Sequence, residues 1–271
     1  MKISTKIALA AAMTLSVSFA NAQVAAVGEG IDNVNVIGLG AGMVPDYMGS
    51  NHNKAMPAVA ARYQFEGTQR AITLLGNQVM FNVLDDDTWR FGPQATYRGG
   101  RGSDVDNATV KQMVGINGAW EGGVFGQYRM KLSNERMHQI VFTADVNGGS
   151  NGSIGGLRML WWQPLSRQVV FNLGAGVQYA SDKWMNTYFG VNNAHDIALY
   201  PTLRGQAYNA GSGVKGVNVP VGINYFIDRN WVLSAGARYE SLQGDAKDSP
   251  VTSISGNSNQ WIYGLLVSYI F

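Results

Sequence analysis

The feature that most constrains this chain is a period-two alternation that recurs along nearly its whole length. After the first twenty or so residues there is no run of 18 apolar residues that could cross a membrane as a helix. The alternation is clearest in "WIYGLLVSYIF", Trp261 to Phe271. There Trp261, Tyr263, Leu265, Val267, Tyr269 and Phe271 fall on one face, and Ile262, Gly264, Leu266, Ser268 and Ile270 on the other. One face is wholly apolar and aromatic at both ends. A soluble sheet turns such a face inward and frays into polar residues at its last strand, whereas this stretch stays apolar to Phe271. Eleven residues at ~3.3 Å each, tilted by ~45°, rise about 25 Å, the height of the apolar band of a transmembrane barrel.

Twelve segments carry this pattern between turn residues: Val34 to Met43, Ala55 to Glu66, Arg70 to Val83, Thr88 to Arg101, Ala108 to Ala119, Gly122 to Leu132, His138 to Asn147, Gly152 to Gln163, Gln168 to Ala180, Gly216 to Ile227, Asn230 to Leu242, and Gln260 to Phe271. The fold class is therefore all-β, a transmembrane antiparallel β-barrel of twelve strands. "ATVKQMVGINGA", Ala108 to Ala119, reads equally well as a short helix or a loop, and ten strands is the alternative count. Such barrels have short periplasmic turns and longer outer loops. Glu66 to Gln69, Gln163 to Arg167 and Asp228 to Asn230 fit the first class, and Val44 to Lys54, Ser181 to Lys215 and Gln243 to Asn259 the second. Gly99 to Asn107 breaks the rule, being long where this strand count needs a short turn.

Composition agrees with the barrel. Gly is 34 of 271, about 13% against a usual ~7%, charged residues are only 14%, and there is no cysteine. Lys2 and Lys6 precede the apolar run Ile7 to Phe19, and Ala20-Asn21-Ala22 is an A-x-A cleavage pattern, so residues 1–22 read as a signal peptide and 23–271 as one barrel domain. Without that peptide the charges balance at 18 basic (20 minus 2) and 18 acidic, which gives no electrostatic case for nucleic acid. The expected location is the outer membrane, in contact with lipid and lipopolysaccharide.

The polar faces are where a barrel keeps its charges. Arg62, Gln64, Arg90, Gln94, Thr96, Arg98, Gln127, Arg129, Lys131, Asp145, Arg158, Gln178, Arg238 and Glu240 all stand opposite apolar positions. Of these, Arg62, Arg98, Arg129, Arg158, Arg238 and Glu240 are the candidate lumen-lining residues. Arginine-carboxylate pairs across a lumen can frame a narrow channel or a structural plug. Trp161, Trp162, Trp231, Trp261, Tyr179, Tyr239 and Tyr269 sit near strand ends, as interface aromatics do.

Signals for chemistry are weak. "GLGAG", Gly38 to Gly42, lies inside a strand and not between strand and helix, so it reads as small lumen-face residues and not a nucleotide loop. His52, His138 and His195 are too scattered for a metal cluster, and Asp85-Asp86-Asp87 and "GDAKDSP" lack the spacing of a calcium loop. His195 beside Asp196 is the one candidate general base, without a linked nucleophilic serine. No catalytic residue, metal or cofactor is expected.

Six stretches, in order, resemble the MltA-interacting protein (MipA/OmpV) family of Gram-negative outer-membrane proteins. They are "PDYMGS" (Pro45 to Ser50), "GPQATYRGGR" (Gly92 to Arg101), "YFGV" (Tyr188 to Val191), "GDAKDSP" (Gly244 to Pro250), Gln260, and the ending Tyr269-Ile270-Phe271. The resemblance implies a non-enzymatic outer-membrane barrel. Some members are proposed as scaffolds joining a lytic transglycosylase to a penicillin-binding protein in murein synthesis, and others look like modulators of antibiotic entry or adhesins. It supplies no catalytic residues. Tyr269 and Phe271 also look like the terminal signal read by barrel-assembly machinery. A scaffold is the first expectation here, with a small-solute or antibiotic entry channel as the alternative.

Overall fold

The computed structural model describes residues 34–135 and 137–271, so the expected signal peptide and the segment 23–33 lie outside the described residues. The chain forms a closed antiparallel barrel of twelve strands. They are β1 (Val36–Pro45), β2 (Asn53–Gln64), β3 (Ala71–Leu75), β4 (Gln78–Asn82), β5 (Trp89–Arg98), β6 (Ala119–Lys131), β7 (Gln139–Gly149), β8 (Gly152–Pro164), β9 (Val169–Ala180), β10 (Gly213–Phe226), β11 (Trp231–Leu242) and β12 (Asn259–Ile270). Neighbours in sequence pair with each other, and β12 closes the ring on β1, from Val36 opposite Ile270 to Met43 opposite Tyr263. Gly40 permits this seam, because a Cβ there would fall on the Leu265 carbonyl oxygen.

The count of twelve agrees with the sequence reading, but two segments differ. Arg70 to Val83 is two short strands, β3 and β4, folded back at Gly76-Asn77, where Gly76 has φ +57°. A Gly-Asn pair between alternating runs is a hairpin signal, and it explains the split. Ala108 to Ala119 is no strand. It is a loop with one 3-10 turn, Val110–Gln112, and a single bridge between Arg101 and Ile116. The extra hairpin reverses the direction of everything after it up to β6, so the long connection 99–118 joins the other long loops. The conflict over Gly99 to Asn107 disappears.

Along each strand, alternate residues face out. Leu39, Leu157 and Leu265 are each about 60% exposed, while their inward neighbours Gly38, Leu160 and Leu266 are buried. A belt this apolar requires a bilayer. Aromatic pairs rim it at both ends: Tyr97 with Trp120 and Tyr239 with Trp261 at one, Trp89 with Tyr128 and Trp231 with Tyr269 at the other. Trp162 departs from the expected interface set. Its parity is opposite to that of Trp161, and it points into the barrel, fully buried with Val141, Leu160, Val170 and Val232. Position near a strand end does not decide which medium a ring meets; parity does.

The long loops fold into a cap over one mouth. It contains helices α1 (Asp182–Phe189), α2 (Ala194–Ala198), α3 (Gly244–Asp248) and α4 (Pro250–Ser253), packed with residues 46–52 and 99–118.

Candidate functional site: the filled lumen and its cap

The inward parity of the strands places Arg62, Arg98, Arg129 and Glu240 inside the barrel, each 6% exposed or less, with Arg158 and Arg238 partly buried on the same side of the wall. They do not form one site. Near the short-turn end, Arg62 donates to Gln64 Oε1 at 2.7 Å and Arg129 to Gln139 Oε1 at 2.9 Å, beside the apolar cluster around Trp162. Arg98, Arg158, Arg238 and Glu240 meet at the capped end. There a cavity of about 70 Å³ is lined by Arg98, Lys215, Arg238 and Glu240, and a second of about 60 Å³ by Arg98, Asp145, Arg158 and Arg238.

Two charged residues of this group escaped sequence reasoning. Glu121, fully buried, accepts from Arg98 Nε at 3.4 Å and Nη2 at 2.7 Å, one edge of the guanidinium on both carboxylate oxygens. Lys215 forms an ion pair with Glu240, whose other oxygen stands 3.7 Å from Arg238. Simple alternation in β10 would send Lys215 outward with Val217. A bulge between Val214 and Gly216 turns it inward instead. The sequence reading ends the outer loop at Lys215 and begins the strand at Gly216, so it does not weigh this lysine as a strand residue.

The cap is a buried, hydrogen-bonded structure. Ser181 accepts from Trp184 N at the start of α1, and the Trp184 indole donates to Glu121 Oε1 at 2.9 Å. The Tyr47 hydroxyl donates to the Ser255 carbonyl at 2.7 Å, the Tyr200 hydroxyl lies 3.0 Å from Ser255 Oγ, and Ser249 donates to the Phe189 carbonyl at 2.6 Å. Burial raises the pKa of Tyr47, with Tyr200 and Asp46 adding to it, and likewise raises Tyr188 and Tyr200. Burial lowers that of Arg101, which donates to the Tyr188 carbonyl. "PDYMGS", "YFGV" and "GDAKDSP" all meet in this cap, and Arg101, the end of "GPQATYRGGR", is buried among them.

The candidate base does not assemble a catalytic pair. His195 Nε2 contacts the Gln112 carbonyl at 2.8 Å, while the Asp196 carboxylate accepts from Val114 N and the Asn193 side chain, both at 2.9 Å. Asp85 and Asp86 cap turns, accepting from Gln69 N and from Thr88 N and Trp89 N. Among the described residues no group of three or more His, Cys, Asp or Glu side chains could hold a metal ion.

The family described as MltA-interacting protein MipA matches residues 37–271. Outer membrane protein Omp26La of Vibrio anguillarum and outer membrane protein OmpV of Vibrio cholerae are each 32% identical over 97 residues, covering 36% of this chain. The match spans about a third (34%) of the length of these relatives. Among solved structures, the NanC porin is 9% identical with a TM-score of 0.46, covering 87% of this chain and 98% of that one. OmpT of Vibrio cholerae is 8% identical with a TM-score of 0.36, covering 88% and 97%. With a matching profile along the whole barrel, the chain belongs to the MltA-interacting protein family and is a β-barrel of the outer membrane.

Proposed function

We propose that this barrel is a non-enzymatic, sealed accessory protein that holds murein-processing enzymes at the outer membrane. The observation that supports this most is the filled lumen. A Trp162 cluster occupies one end, a cap knitted by Tyr47, Trp184, Tyr200 and Ser255 the other, and the two small cavities between them are of water-molecule scale. A barrel filled in this way acts through its surfaces. By the loop-length rule the cap faces outward and the turns 65–70, 83–88, 132–138, 165–168 and 227–230 face the periplasm. The family's description supplies the partner class, the lytic transglycosylase MltA, and a penicillin-binding protein is the second partner in the scaffold reading. These turns, with segment 23–33, must together supply something near the ~800 Å² per partner of a standard interface. The test is co-purification of the detergent-solubilised barrel with a lytic transglycosylase, against an unrelated barrel at equal load. Enrichment supports the role, and equal recovery rejects it.

One observation favours the second reading, a small-solute entry channel. Inward cations on the strands, Arg62, Arg90, Arg98, Arg129, Arg158, Lys215 and Arg238 among them, outnumber the inward acids Glu121, Asp145 and Glu240, an excess that selects anions. That reading requires the cap to move, and planar-bilayer conductance separates the two.

A further inference from the structure

The barrel wall is incomplete on one side. β3 and β4 have five residues each, which at ~3.3 Å per residue and a ~45° tilt rise only about 12 Å, half the apolar band. Their turn at Gly76-Asn77 therefore stops short of the far end of β2 while reaching the level of Tyr97 near the end of β5, and the flanking strands satisfy it. Gly76 N donates to the Val59 carbonyl at 2.8 Å, Tyr97 N to the Asn77 carbonyl at 2.9 Å, and Asn77 Nδ2 to the Tyr97 carbonyl at 2.7 Å. Above that turn β2 continues from Val59 to Asn53 with β1 as its only strand partner among the described residues. Since Val59 faces the hairpin, the next residue whose backbone faces the gap is Pro57, which has no N–H to leave unpaired. A proline at that position makes this a permanent edge. The opening has a lintel as well: the Asp46 carboxylate accepts from Asp106 N at 2.8 Å and pairs with Lys54 at 3.2 Å, joining the loop after β1 to the loop after β5.

Behind this window lies the 70 Å³ cavity. Its walls come from β1, β5, β10, β11, β12 and the loops after β1 and β5, and none of its lining residues lies on β2, β3 or β4, the strands beside the window. The walls are amphipathic, with Met48, Leu242 and Ile262 beside the charged side chains of Asp46, Arg98, Lys215, Arg238 and Glu240. With Asp46 taken by Lys54, Glu121 by Arg98 and Glu240 by Lys215, one positive charge is left over. It is on Arg238, whose side chain is 11% exposed. Its Nε has no hydrogen-bond partner among the described residues, and the Glu240 oxygen it faces is 3.7 Å away, beyond hydrogen-bond reach.

We propose that the window between β2 and β5 is a lateral portal from the outer leaflet, and that the pocket behind it takes a single-chain carboxylate amphiphile of the fatty-acid type. Its carboxylate would sit on Arg238, and its acyl chain would pass through the window into the bilayer. A planar guanidinium suits a carboxylate. At about 70 Å³ the cavity is small, which suits the head of a single-chain amphiphile better than a bulkier head group carrying two chains. The strand edge at Ala55 and Pro57 needs polar company that pure hydrocarbon does not offer, and an amphiphile entering head first brings it.

The test is titration of the purified full barrel in detergent with cis-parinaric acid, read by its fluorescence, beside the methyl ester of the same chain. Arg238→Met removes the cation, and Met56→Trp, at an inward position of β2 next to the window, narrows the entrance without touching the charges. Heat-modifiable migration verifies that both variants fold. The expected result is saturable binding of the acid that weakens at least tenfold in each variant, with little binding of the ester. Equal affinity for acid and ester, or binding unchanged in either folded variant, would overturn the portal.

Discussion

The Trp184 indole N–H donates to Glu121 Oε1 at 2.9 Å, so a side chain of the outer cap is tied to a carboxylate on the barrel wall that also holds Arg98. The Arg98 guanidinium in turn lies 5.6 Å from the centre of the Trp184 ring. Three residues distant in sequence thus share one buried charge pair and one ring, and the cap cannot lift without exposing the pair.

Breaking this link has a graded cost. Trp184→Phe keeps the ring and removes one hydrogen bond to a charged acceptor, a loss of about 1.5 to 3 kcal/mol. Glu121→Ala strands the Arg98 cation inside the barrel, at about 3 to 5 kcal/mol. Urea unfolding of the refolded barrel in detergent should rank them in that order. The double variant should lose less than the sum, because both remove the same contact. Strict additivity would show that cap and wall are independent.

The cap should loosen in alkali. Burial pushes Tyr208 up to about 12, with Asp245 and Asp248 adding to the shift, and burial likewise raises Tyr47, Tyr188 and Tyr200 above the ordinary value of about 10. Above about pH 10 an unfolded cap releases phenolic protons that the folded cap retains, so the unfolded state binds fewer protons and stability falls as pH rises. The stabilisation is complete below about pH 10 and is lost as pH climbs through the raised values. Arg101 is shifted downward by burial and has the opposite sign, one group against four. Tyrosinate absorbance and near-ultraviolet circular dichroism, followed together upward from about pH 8, should show the cap signal disappearing as these tyrosines ionise. Loss of that signal well below pH 10 would contradict the assignment.

Much of this was legible in the sequence, for reasons that also explain what was not. Period-two alternation gave the barrel, and parity gave the inward face of Arg62, Arg98 and Arg129, because a strand has only two faces. The same reasoning stopped where the chain left the regular pattern. The Lys215 bulge brings inward a cation that the sequence reading places in the loop before β10, and the Gly76-Asn77 hairpin divides one expected strand into two. Glu121 was missed because a glutamate between Trp120 and Gly122 carries no local sign of a partner 23 residues away. Trp162 was misplaced because aromatic belts are inferred from strand ends, whereas its burial follows from its neighbours across the lumen. The cap lay beyond sequence reading altogether, since its contacts join four loops and depend on tertiary packing.

A sealed lumen predicts silence in planar bilayers. Purified protein should give no discrete conductance steps, and deleting residues 183–211, which removes most of α1, α2 and their packing, should leave conductance small. The Trp162 cluster still blocks the far end. Only cap deletion combined with Trp162→Ala should produce steady steps, and these should favour anions given the inward arginines. Steady conductance from the intact barrel would favour the channel reading instead.

The last prediction concerns closure. At the β1–β12 seam the Phe271 N–H donates to the Asn35 carbonyl at 3.0 Å, and its ring stacks at 13° on Tyr269, which pairs with Trp231 on the next strand. Phe271 is 63% exposed, so its ring adds almost nothing to the interior, and Phe271→Ala should leave the finished barrel within about 1 kcal/mol of the parent. Its effect should fall on assembly, where the pair Tyr269 and Phe271 is what insertion machinery would read. In cells, heat-modifiable folded protein in the outer membrane should drop several-fold, while refolding of the same variant into detergent proceeds normally. An equal defect in both settings would make Phe271 a structural residue of the seam, and no defect in either would remove it from assembly.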